Sequence, residues 1–484
     1  MGRGNYVIIY VLRSETVRQS EKRWGANRYW MTIAGMVVVL TIVYTVLVNV
    51  PIQHAYAVAG GAWPTYLGDN ARNGYNANEK IINPNTAPNL KVHWTFHTGG
   101  SISTQPVEYN GQIYFGSWDG NEYATDLNGR KIWSTFISPP TPDCQGINRT
   151  FGVTSTATID NIPINGKTTT VILVGSSDAH VYALNAATGA VIWKTLLTSV
   201  PHTFLWSNAA AYKGSIYMGI SSVDDCPLVP GGLAQLNVIT GAVQHIFYDV
   251  PNGCVGASIW ASPAINAATG RVYVAVGNPG ACNAAEPYGS AVLEFRATDL
   301  TLLDYWPVPA AQLGGDDDFG ATPTLFTATL GGTVHEMIGV ENKNGFFYAL
   351  DQTSLHSGPV WEAKVGTGRL DIAAAAFDGK NLYVASLGTT INGKHCSGSL
   401  RAVNPATGAF IWQDCLGAPI HLGVSVVPGV VFAGIGAAFV AIASATGKAL
   451  FGYKLSNDIY GTTSISQGVA YIGDASGNIY AFGL

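Results

Sequence analysis

Charged residues are scarce in this chain of 484 residues, at 11% of the sequence against roughly 25% in an average soluble domain. The hydrophobic share is 47%, and the chain contains 12 tryptophans, 23 tyrosines and 57 glycines. Disordered chains show the opposite balance, with much charge and few aromatic residues. Coiled coils and helical bundles are also disfavoured, because they are rich in alanine, glutamate, lysine and leucine. Many glycines and aromatic residues with little charge favour short strands joined by tight turns.

Several functional signatures are missing as well. The formal net charge is −5, and no basic block occurs outside the N-terminus, so the sequence predicts no nucleic-acid partner. No C-x-x-C pair indicates a zinc ribbon, a thioredoxin motif or a C-x-x-C-H haem attachment. No G-x-S-x-G element indicates a hydrolase.

The N-terminus has the pattern of a targeting segment. Lys22, Arg23 and Arg28 precede an uncharged apolar stretch, residues 29–50, that is long enough to cross a bilayer as a helix. A small-x-small pattern of the kind cleaved by signal peptidase follows at residues 55–57. Because the positive flank comes first, the positive-inside rule places the rest of the chain outside the cytoplasm. A cleaved signal peptide and a retained membrane anchor fit equally well, and either predicts an extracytoplasmic protein.

Six cysteines agree with an oxidising compartment, where an even number commonly forms disulfides. Cys396 and Cys415 flank the turn at residues 404–408 almost symmetrically. This predicts that they face each other across a hairpin within bonding distance. The sequence leaves open the pairing of the other four, which are Cys144, Cys226, Cys254 and Cys282.

One pattern recurs through the rest of the chain. An apolar strand is followed by a glycine-rich turn, a second strand ending in Tyr-Ala-Leu or a similar triplet, a Thr-Gly turn and a strand ending in tryptophan. The clearest copies are Ile113–Trp133 and Val171–Trp193. Eight strand pairs of this kind occur along the sequence. A single unit cannot bury both of its faces, so the units must stack.

The two ends of the repeat are complementary. The last copy, Ala470–Leu484, stops before its tryptophan strand, whereas Leu90–Phe96 is a tryptophan strand with no unit before it. We therefore predict that the N-terminal strand completes the C-terminal unit and closes a ring without free sheet edges, as in β-propellers. The predicted fold is all-β, an eight-bladed propeller of four-stranded antiparallel blades, preceded by one N-terminal transmembrane or signal helix. Seven blades are the alternative.

The domain boundaries follow from this pattern. Residues 1–57 form a cytoplasmic tail with the signal peptide or membrane anchor, residues 58–89 form a lead-in segment, and residues 90–484 form the propeller.

The repeats resemble those of the propellers that bind pyrroloquinoline quinone (PQQ). The similar residues are the Gly-Ser-x-Asp-x-x-x-Tyr-Ala-Leu-Asn-Ala-x-Thr-Gly-x-x-x-Trp runs and the stretch Ala62–Tyr75. The same repeat builds quinoprotein alcohol dehydrogenases and the cofactor-free propeller lipoprotein of the outer-membrane assembly machinery. Function therefore has to be argued from the site rather than from the repeat.

Several segments are similar to site motifs of the dehydrogenase branch, in the same order. Val276–Gly280 resembles a Gly-Asn-Pro segment whose asparagine binds calcium, which implies that Asn278 is a metal ligand. Trp260 precedes it at the family spacing, where the quinone ring lies on a tryptophan. The alternative for Trp260 is a packing role between blades.

The most acidic stretch of the chain, residues 314–323, resembles an Asp-x-Asp segment that opens a blade. Its register implies that Asp316 is the catalytic base, which takes the hydroxyl proton as hydride leaves the alcohol carbon, and also a metal ligand. Glu341–Asp351 resembles a segment in which a cation contacts a quinone carbonyl oxygen, a role that falls to Lys343. A solvated turn or a simple cation-binding loop is the alternative for Asp316, and a surface salt bridge is the alternative for Lys343.

Two further matches complete the predicted site. Arg149 follows Cys144 at a spacing that implies a contact with a quinone carboxylate. The segment Gly219–Asp224 implies that Ser221 contacts the cofactor and that Asp224 replaces a calcium-binding glutamate. Ordinary polar loop residues are the alternative for all three.

Besides Asp224, the chain departs from the family pattern at two further positions. Asp143 stands where the family has the first member of a vicinal cysteine pair, and Ser103 stands where it has a glutamate. Because no haem motif is present, electrons would have to leave to a separate acceptor.

Two functions fit the sequence. The first is an exported quinoprotein-like dehydrogenase that oxidises an alcohol with PQQ and Ca²⁺, attached to the membrane through residues 29–50 if these are retained. The second is a cofactor-free scaffold that binds protein or polysaccharide. Convergence of the predicted site residues at one end of the propeller axis favours the enzyme, and their scatter over the rim favours the scaffold.

Overall fold

The ring that the sequence predicts is present in the computed structural model, which describes residues 61–144, 149–280, 282, 284–368 and 372–484. Eight antiparallel sheets, most of them four-stranded, are the blades of an eight-bladed β-propeller. The predicted N-terminal helix lies outside the described residues. Within the described part of the chain, no helix is long and apolar enough to span a membrane.

The strands are numbered in chain order and grouped by blade. The first half begins with β1 (Lys91–His97), and blade 1 follows with β2 (Val107–Tyr109), β3 (Gln112–Gly116), β4 (Asn121–Asp126) and β5 (Lys131–Phe136). After a hairpin of β6 (Thr141–Pro142) and β7 (Thr150–Phe151), blade 2 contains β8 (Thr158–Ile164), β9 (Lys167–Gly175), β10 (His180–Asn185) and β11 (Val191–Leu196). Blade 3 contains β12 (Thr203–Phe204), β13 (Ala210–Tyr212), β14 (Ser215–Ser222), β15 (Gly232–Asn237) and β16 (Val243–Tyr248). The second half contains blade 4 with β17 (Ala264–Asn266), β18 (Arg271–Ala275), β19 (Ala291–Arg296) and β20 (Leu302–Pro307); blade 5 with β21 (Thr324–Leu330), β22 (Thr333–Glu341), β23 (Phe346–Asp351) and β24 (Pro359–Lys364); blade 6 with β25 (Ala376–Phe377), β26 (Leu382–Ile391), β27 (Lys394–Val403) and β28 (Phe410–Leu416); blade 7 with β29 (Ser425–Val427), β30 (Val430–Ile435), β31 (Ala438–Ala443) and β32 (Ala449–Lys454); and blade 8 with β33 (Ser464–Ser466), β34 (Val469–Gly473) and β35 (Asn478–Gly483). Short 3₁₀ helices occupy Ala87–Asn89, Ala310–Gln312 and Leu355–Ser357.

Strand β1 closes the ring by pairing antiparallel with β35. Thr95 lies opposite Tyr480, and Phe96 lies opposite Ile479. The order within blade 8 is β1–β35–β34–β33, so the first strand of the propeller supplies the outermost strand of its last blade. The predicted closure is confirmed, and it covers what would otherwise be a free sheet edge.

The recurring Gly-x-x-x-Trp spacing has a packing cause. The turn residues Gly189 and Gly241 both have a φ of 71°, which glycine adopts without steric cost. A Cβ at Gly189 would come within 2.6 Å of the ring of Trp133, and a Cβ at Gly241 within 2.5 Å of the ring of Trp193. Each of these tryptophans therefore packs on the Thr-Gly turn of the following blade and links neighbouring blades.

The lead-in segment contacts the innermost strand of every blade. From blade 1 to blade 8, the hydrogen-bonded pairs are Trp63 with Glu108, Pro64 with Ile159, Asn70 with Ala211 and with Ile265, Ala71 with Leu325, Asn73 with Phe377, Gly74 with Val426, and Asn76 with Ile465. Because the innermost strands surround the axis, the segment lies inside the ring and ties all eight blades together.

Arg72 anchors this segment from a fully buried position. Its guanidinium donates hydrogen bonds to the carbonyl oxygens of Tyr66 at 2.7 Å, Ala209 at 3.0 Å and Pro263 at 3.0 Å, and to Thr65 Oγ1 at 2.8 Å. A buried cation is tolerated here because several acceptors surround it.

The six cysteines form three disulfides. Cys396 on β27 bonds to Cys415 on β28, with the two Cα atoms 5.2 Å apart, which confirms the predicted pair. The pairing that the sequence leaves open is Cys144 with Cys226 and Cys254 with Cys282.

Removal of the Cys396–Cys415 bridge is expected to lower the free energy of unfolding without unfolding the propeller. The bond closes a loop of 19 residues, and a loop of this size contributes roughly 3 kcal/mol. Denaturant unfolding of the double serine variant, compared with the wild type under non-reducing conditions, measures the loss. Peptide mapping of the non-reduced wild type that found both thiols free would contradict the assignment.

Two carboxyl groups are fully buried without hydrogen-bond partners among the described residues. They belong to Glu122 on β4 and Asp249 after β16. Burial raises the pKa of both well above the usual range, because a charged carboxylate is poorly solvated there. The folded protein therefore holds these protons more tightly than the unfolded chain does.

Stability is consequently expected to fall as the pH rises from the unfolded pKa of these groups, about 4, toward their raised folded pKa. Glu122→Gln removes the part of this dependence that Glu122 contributes, and it should raise the melting temperature at neutral pH while leaving it nearly unchanged near pH 4. Asp126→Asn is expected to lower the melting temperature at neutral pH instead, because backbone hydrogen bonding from Arg130 lowers the pKa of Asp126 and so stabilises its ionised form. Melting curves from pH 4 to 8 test both, and a Glu122→Gln profile parallel to that of the wild type would refute the prediction.

Candidate functional site

A cavity of about 530 Å³ lies at the propeller axis, within the range of about 300–1,000 Å³ that is typical of ligand sites. Every blade contributes to it through the loop before its innermost strand; in blade order these residues include Ser103, Thr154, Trp206, Trp260, Asp318, Ile372, His421 and Tyr460. Tyr66 also lines the cavity, so the lead-in segment forms part of its wall. We call this space the central cavity.

Most of the predicted site residues meet in the central cavity. Those that line it are Arg149, Asp224, Trp260, Asn278, Asp316 and Lys343. Loops of several different blades carry them, and the circular arrangement of the blades brings those loops together at the axis. Of the two arrangements that the sequence allows, the structure has convergence at the axis rather than scatter over the rim.

Ser221 does not belong to this set. It is fully buried, and its hydroxyl donates to the carbonyl oxygen of Phe204 at 2.8 Å. Its neighbour Ser222 lines the cavity instead. Successive side chains of a strand point to opposite faces, which explains why Ser222 lines the cavity and Ser221 does not.

Lys343 forms an ionic cluster with two carboxylates. Its Nζ lies 3.0 Å from Asp316 Oδ1 and 2.7 Å from Asp318 Oδ1. The side chains of Lys343 and Asp318 are 8% and 6% exposed, whereas that of Asp316 is 55% exposed. Asp316 is therefore the member of the cluster that is open to the cavity.

Burial and charge oppose each other in this cluster. Burial lowers the pKa of Lys343, but Asp318 and Asp316 more than offset it, so the pKa is raised and the ammonium stays charged at neutral pH. Burial raises the pKa of Asp318, and Lys343 opposes that shift. Lys343 thus keeps a charged ammonium within the cluster, paired with both aspartates.

Asn278 is held against both aspartates. Its backbone N–H donates to Asp318 Oδ2 at 2.9 Å, and its side-chain Nδ2 donates to Asp316 Oδ1 at 2.7 Å. Asn278 Oδ1 and Asp316 Oδ2 have no hydrogen-bond partner within the described chain. Two oxygen atoms of the kind that hard cations prefer are therefore free in the cavity wall.

Trp260 supplies an aromatic surface beside this cluster. The Nζ of Lys343 lies 5.0 Å from the centroid of its ring, within cation–π range. A Cβ at Gly320 would clash with the ring and with Ile372. The glycine therefore makes room for a flat side chain at the edge of the cavity.

Arg149 and Asp224 occupy another part of the wall. Burial raises the pKa of Asp224, and the nearby Arg149 opposes this shift. Asp224 Oδ2 is buried and lacks a hydrogen-bond partner among the residues described. The Cys144–Cys226 disulfide links the loop that carries Arg149 to the loop that carries Asp224.

Comparisons with known sequences identify the repeat. Residues 63–194 match the β-propeller domain of glucose, ethanol and alcohol dehydrogenases, and residues 397–483 match the outer membrane protein assembly factor BamB. Polyvinylalcohol dehydrogenases from Pseudomonas sp. and Sphingopyxis sp. are each 24% identical over 82% of this chain and 68% of their own length. Quinoprotein alcohol dehydrogenase PedH of Pseudomonas putida is 23% identical over 57% of this chain and 51% of its length.

The chain is a PQQ-type β-propeller related to the quinoprotein alcohol dehydrogenases.

Solved structures have the same fold as this PQQ-type propeller. The quinohemoprotein alcohol dehydrogenase of Comamonas testosteroni superposes with a TM-score of 0.69 at 18% identity, over 89% of this chain and 81% of that one. A europium-containing methanol dehydrogenase superposes with a TM-score of 0.70 at 18% identity, over 88% and 98%. BamB of Moraxella catarrhalis gives 0.54 at 14% identity, over 82% and 98%.

The wall of the central cavity offers oxygen atoms of the kind that hard cations bind, from Asn278 and Asp316 beside Lys343 and from Asp224 in another part of the wall. A metal site built from side chains alone would bring at least three His, Cys, Asp or Glu ligand atoms together. Among the described residues, Cys254, Cys282 and Glu286 form the one such group, with ligand atoms within 4.8 Å of one another. Its two cysteines are disulfide-bonded. A cation in the central cavity would therefore need the asparagine oxygen, cofactor oxygens or water to complete its shell.

Two features of the cavity escaped the sequence analysis. Asp318 shares the acidic stretch with Asp316, but only its burial beside Lys343 shows that it positions the cluster. Trp118, Phe151 and Trp206 form an aromatic wall. The ring centroid of Phe151 lies 4.8 Å from that of Trp118 and 4.9 Å from that of Trp206. These three residues come from different parts of the propeller, so no local sequence pattern predicts that they meet.

Proposed function

We propose that this PQQ-type propeller is an exported dehydrogenase that oxidises an alcohol, with PQQ and Ca²⁺ in the central cavity and a separate electron acceptor. The observation that carries the proposal is the convergence of Arg149, Asp224, Trp260, Asn278, Asp316 and Lys343 on that cavity. The relatedness to polyvinylalcohol dehydrogenases and to PedH supports an alcohol as substrate.

The residues present fit the cofactor. Trp260 offers an aromatic face for a planar ring system, Arg149 offers a cation for a carboxylate, and Lys343 offers a fixed ammonium for a quinone oxygen. Asn278 and Asp224 offer oxygens to Ca²⁺. When bound, PQQ would accept the hydride from the alcohol carbon, and Ca²⁺ would polarise the quinone.

Asp316 is the residue placed to take the hydroxyl proton. Its Oδ1 is held by Lys343 at 3.0 Å and by Asn278 at 2.7 Å, which fixes the orientation of the carboxylate. Its Oδ2 is unpartnered within the described chain and open to the cavity. A positioned carboxylate of this kind acts as a general base at the free oxygen.

An extracytoplasmic location is part of the proposal. The apolar stretch at residues 29–50 follows a positive flank, and the three disulfides suit an oxidising compartment. Either a cleaved signal peptide or a retained anchor satisfies both observations.

A cofactor-free scaffold that binds protein or polysaccharide is the second candidate. The match of residues 397–483 to the BamB family favours it. It predicts that neither PQQ nor Ca²⁺ changes any property of the protein.

Reconstitution distinguishes the two candidates. Apo-protein incubated with PQQ and Ca²⁺ is expected to reduce an artificial electron-accepting dye when a primary alcohol is added, and removal of Ca²⁺ with EDTA should abolish the reaction. Absence of dye reduction with every alcohol in a series of increasing chain length would overturn the dehydrogenase.

A further inference from the structure

One part of the central cavity has no role in the proposed oxidation. His421, in the loop before blade 7, and Tyr460, in the loop before blade 8, both line the cavity. Their ring centroids lie 5.5 Å apart at an interplanar angle of 52°. In a closed ring of eight blades, blades 7 and 8 lie across the axis from blades 3 and 4, which carry Asp224 and Trp260.

Both side chains keep their hydrogen-bonding capacity free. Within the described chain, no hydrogen bond engages the ring nitrogens of His421 or the hydroxyl of Tyr460. Burial lowers the pKa of His421, opposed by Asp458, so the imidazole is neutral at pH 7. A neutral imidazole carries one donor and one acceptor, which suits a hydroxyl group as partner.

An aliphatic side chain lies between this pair and the proposed base. Blade 6 separates blade 5, which carries Asp316, from blade 7, and among the described residues its contribution to the cavity is Ile372. Leu422 follows His421 on the same wall. In blade order, the cavity wall thus presents the carboxylate of Asp316, then the aliphatic side chain of Ile372, and then the uncharged pair of His421 and Tyr460.

We propose that His421, supported by Tyr460, is a second hydroxyl-binding point of the central cavity, so that the preferred substrates are diols or polyols rather than simple alcohols. One hydroxyl is placed at Asp316, the carbon chain lies over Ile372, and the second hydroxyl exchanges hydrogen bonds with His421. The placement of the first hydroxyl at Asp316 rests on the proposed function, whereas the binding of the second hydroxyl at His421 is independent of it.

The test compares α,ω-diols with n-alkanols of the same length, from three to six carbons. The wild type, reconstituted with PQQ and Ca²⁺, is expected to show a lower KM for a diol than for the matched alkanol. His421→Phe keeps a ring against Tyr460 but removes both nitrogens, and it should reduce this preference roughly 3- to 10-fold, as expected for the loss of one neutral hydrogen bond. His421→Asn should restore part of it, and Tyr460→Phe should reduce it to a smaller extent.

The matched control is His245→Phe, because His245 is exposed on the outer strand β16 and should leave the preference unchanged. An unaltered ratio of diol to alkanol KM in His421→Phe would overturn the proposal. Binding is also measured without PQQ, by saturation-transfer NMR of a diol and its matched alkanol with the full-length protein.

The two measurements separate the two proposals. If the wild type oxidises no alcohol, the proposed function fails, and the NMR comparison decides the second binding point. A diol signal that weakens in His421→Phe supports it, and equal signals in the two proteins overturn it.

Discussion

Asp316→Asn is expected to lower the rate of alcohol oxidation by about 10²- to 10⁴-fold while PQQ binding is retained. Asparagine has the shape of aspartate and keeps one oxygen, which can still accept the hydrogen bond from Lys343. It cannot accept the hydroxyl proton. The comparison therefore separates the role of Asp316 in proton transfer from its role in holding the site together.

Asp317→Asn is the matched control for this substitution. Asp317 belongs to the same acidic stretch, but it does not line the central cavity, and its carboxylate accepts the backbone N–H of Gly314 at 2.6 Å. Steady-state kinetics of both variants, with PQQ content measured by absorbance, make the comparison. Full turnover by Asp316→Asn, or an equal loss in Asp317→Asn, would contradict the assignment of the base.

Deletion of residues 58–97 is expected to abolish the cooperative fold. The deletion removes β1, which exposes the edge of β35. It also removes the lead-in segment, which is bonded to the innermost strand of every blade. A soluble deletion protein with the melting temperature of the wild type would refute the closure described above.

A single substitution tests the same segment without removing it. Arg72→Leu leaves several buried oxygen atoms without their donor, and each such loss costs about 1–3 kcal/mol. The free energy of unfolding should therefore fall by at least about 3 kcal/mol. Arg130→Leu, at an exposed turn position, should change it by no more than about 0.5 kcal/mol, and equal effects of the two would contradict an anchoring role for Arg72.

The repeat pattern sufficed to predict the ring, because the information is local and recurs. A turn glycine such as Gly189 and a tryptophan such as Trp133 each have a packing reason to be where they are. The incomplete units at the two ends then determine which strands close the ring. The path of the lead-in segment could not be predicted, because its bonds join residues far apart in the sequence and most of them use backbone atoms on both sides, which every residue type has.

The spacing of short motifs in the sequence was enough to bring Asp316, Asn278 and Lys343 to one cavity. Their chemical roles stay predictions. Ser221 was misplaced by one position because spacing along the chain does not reveal which face of β14 meets the cavity. The Cys144–Cys226 pair could not be predicted, because it depends on the three-dimensional arrangement of two loops.

The most direct test of the account is a titration of the apo-protein with PQQ at saturating Ca²⁺, followed by tryptophan fluorescence and by PQQ absorbance after gel filtration. The account predicts saturable uptake of one PQQ per chain. In Trp260→Ala, binding should weaken by about 1–3 kcal/mol, as for other rings stacked on an aromatic side chain, which is roughly 5- to 150-fold in Kd. If the wild type takes up no PQQ under these conditions, the dehydrogenase is contradicted and the cofactor-free scaffold takes its place.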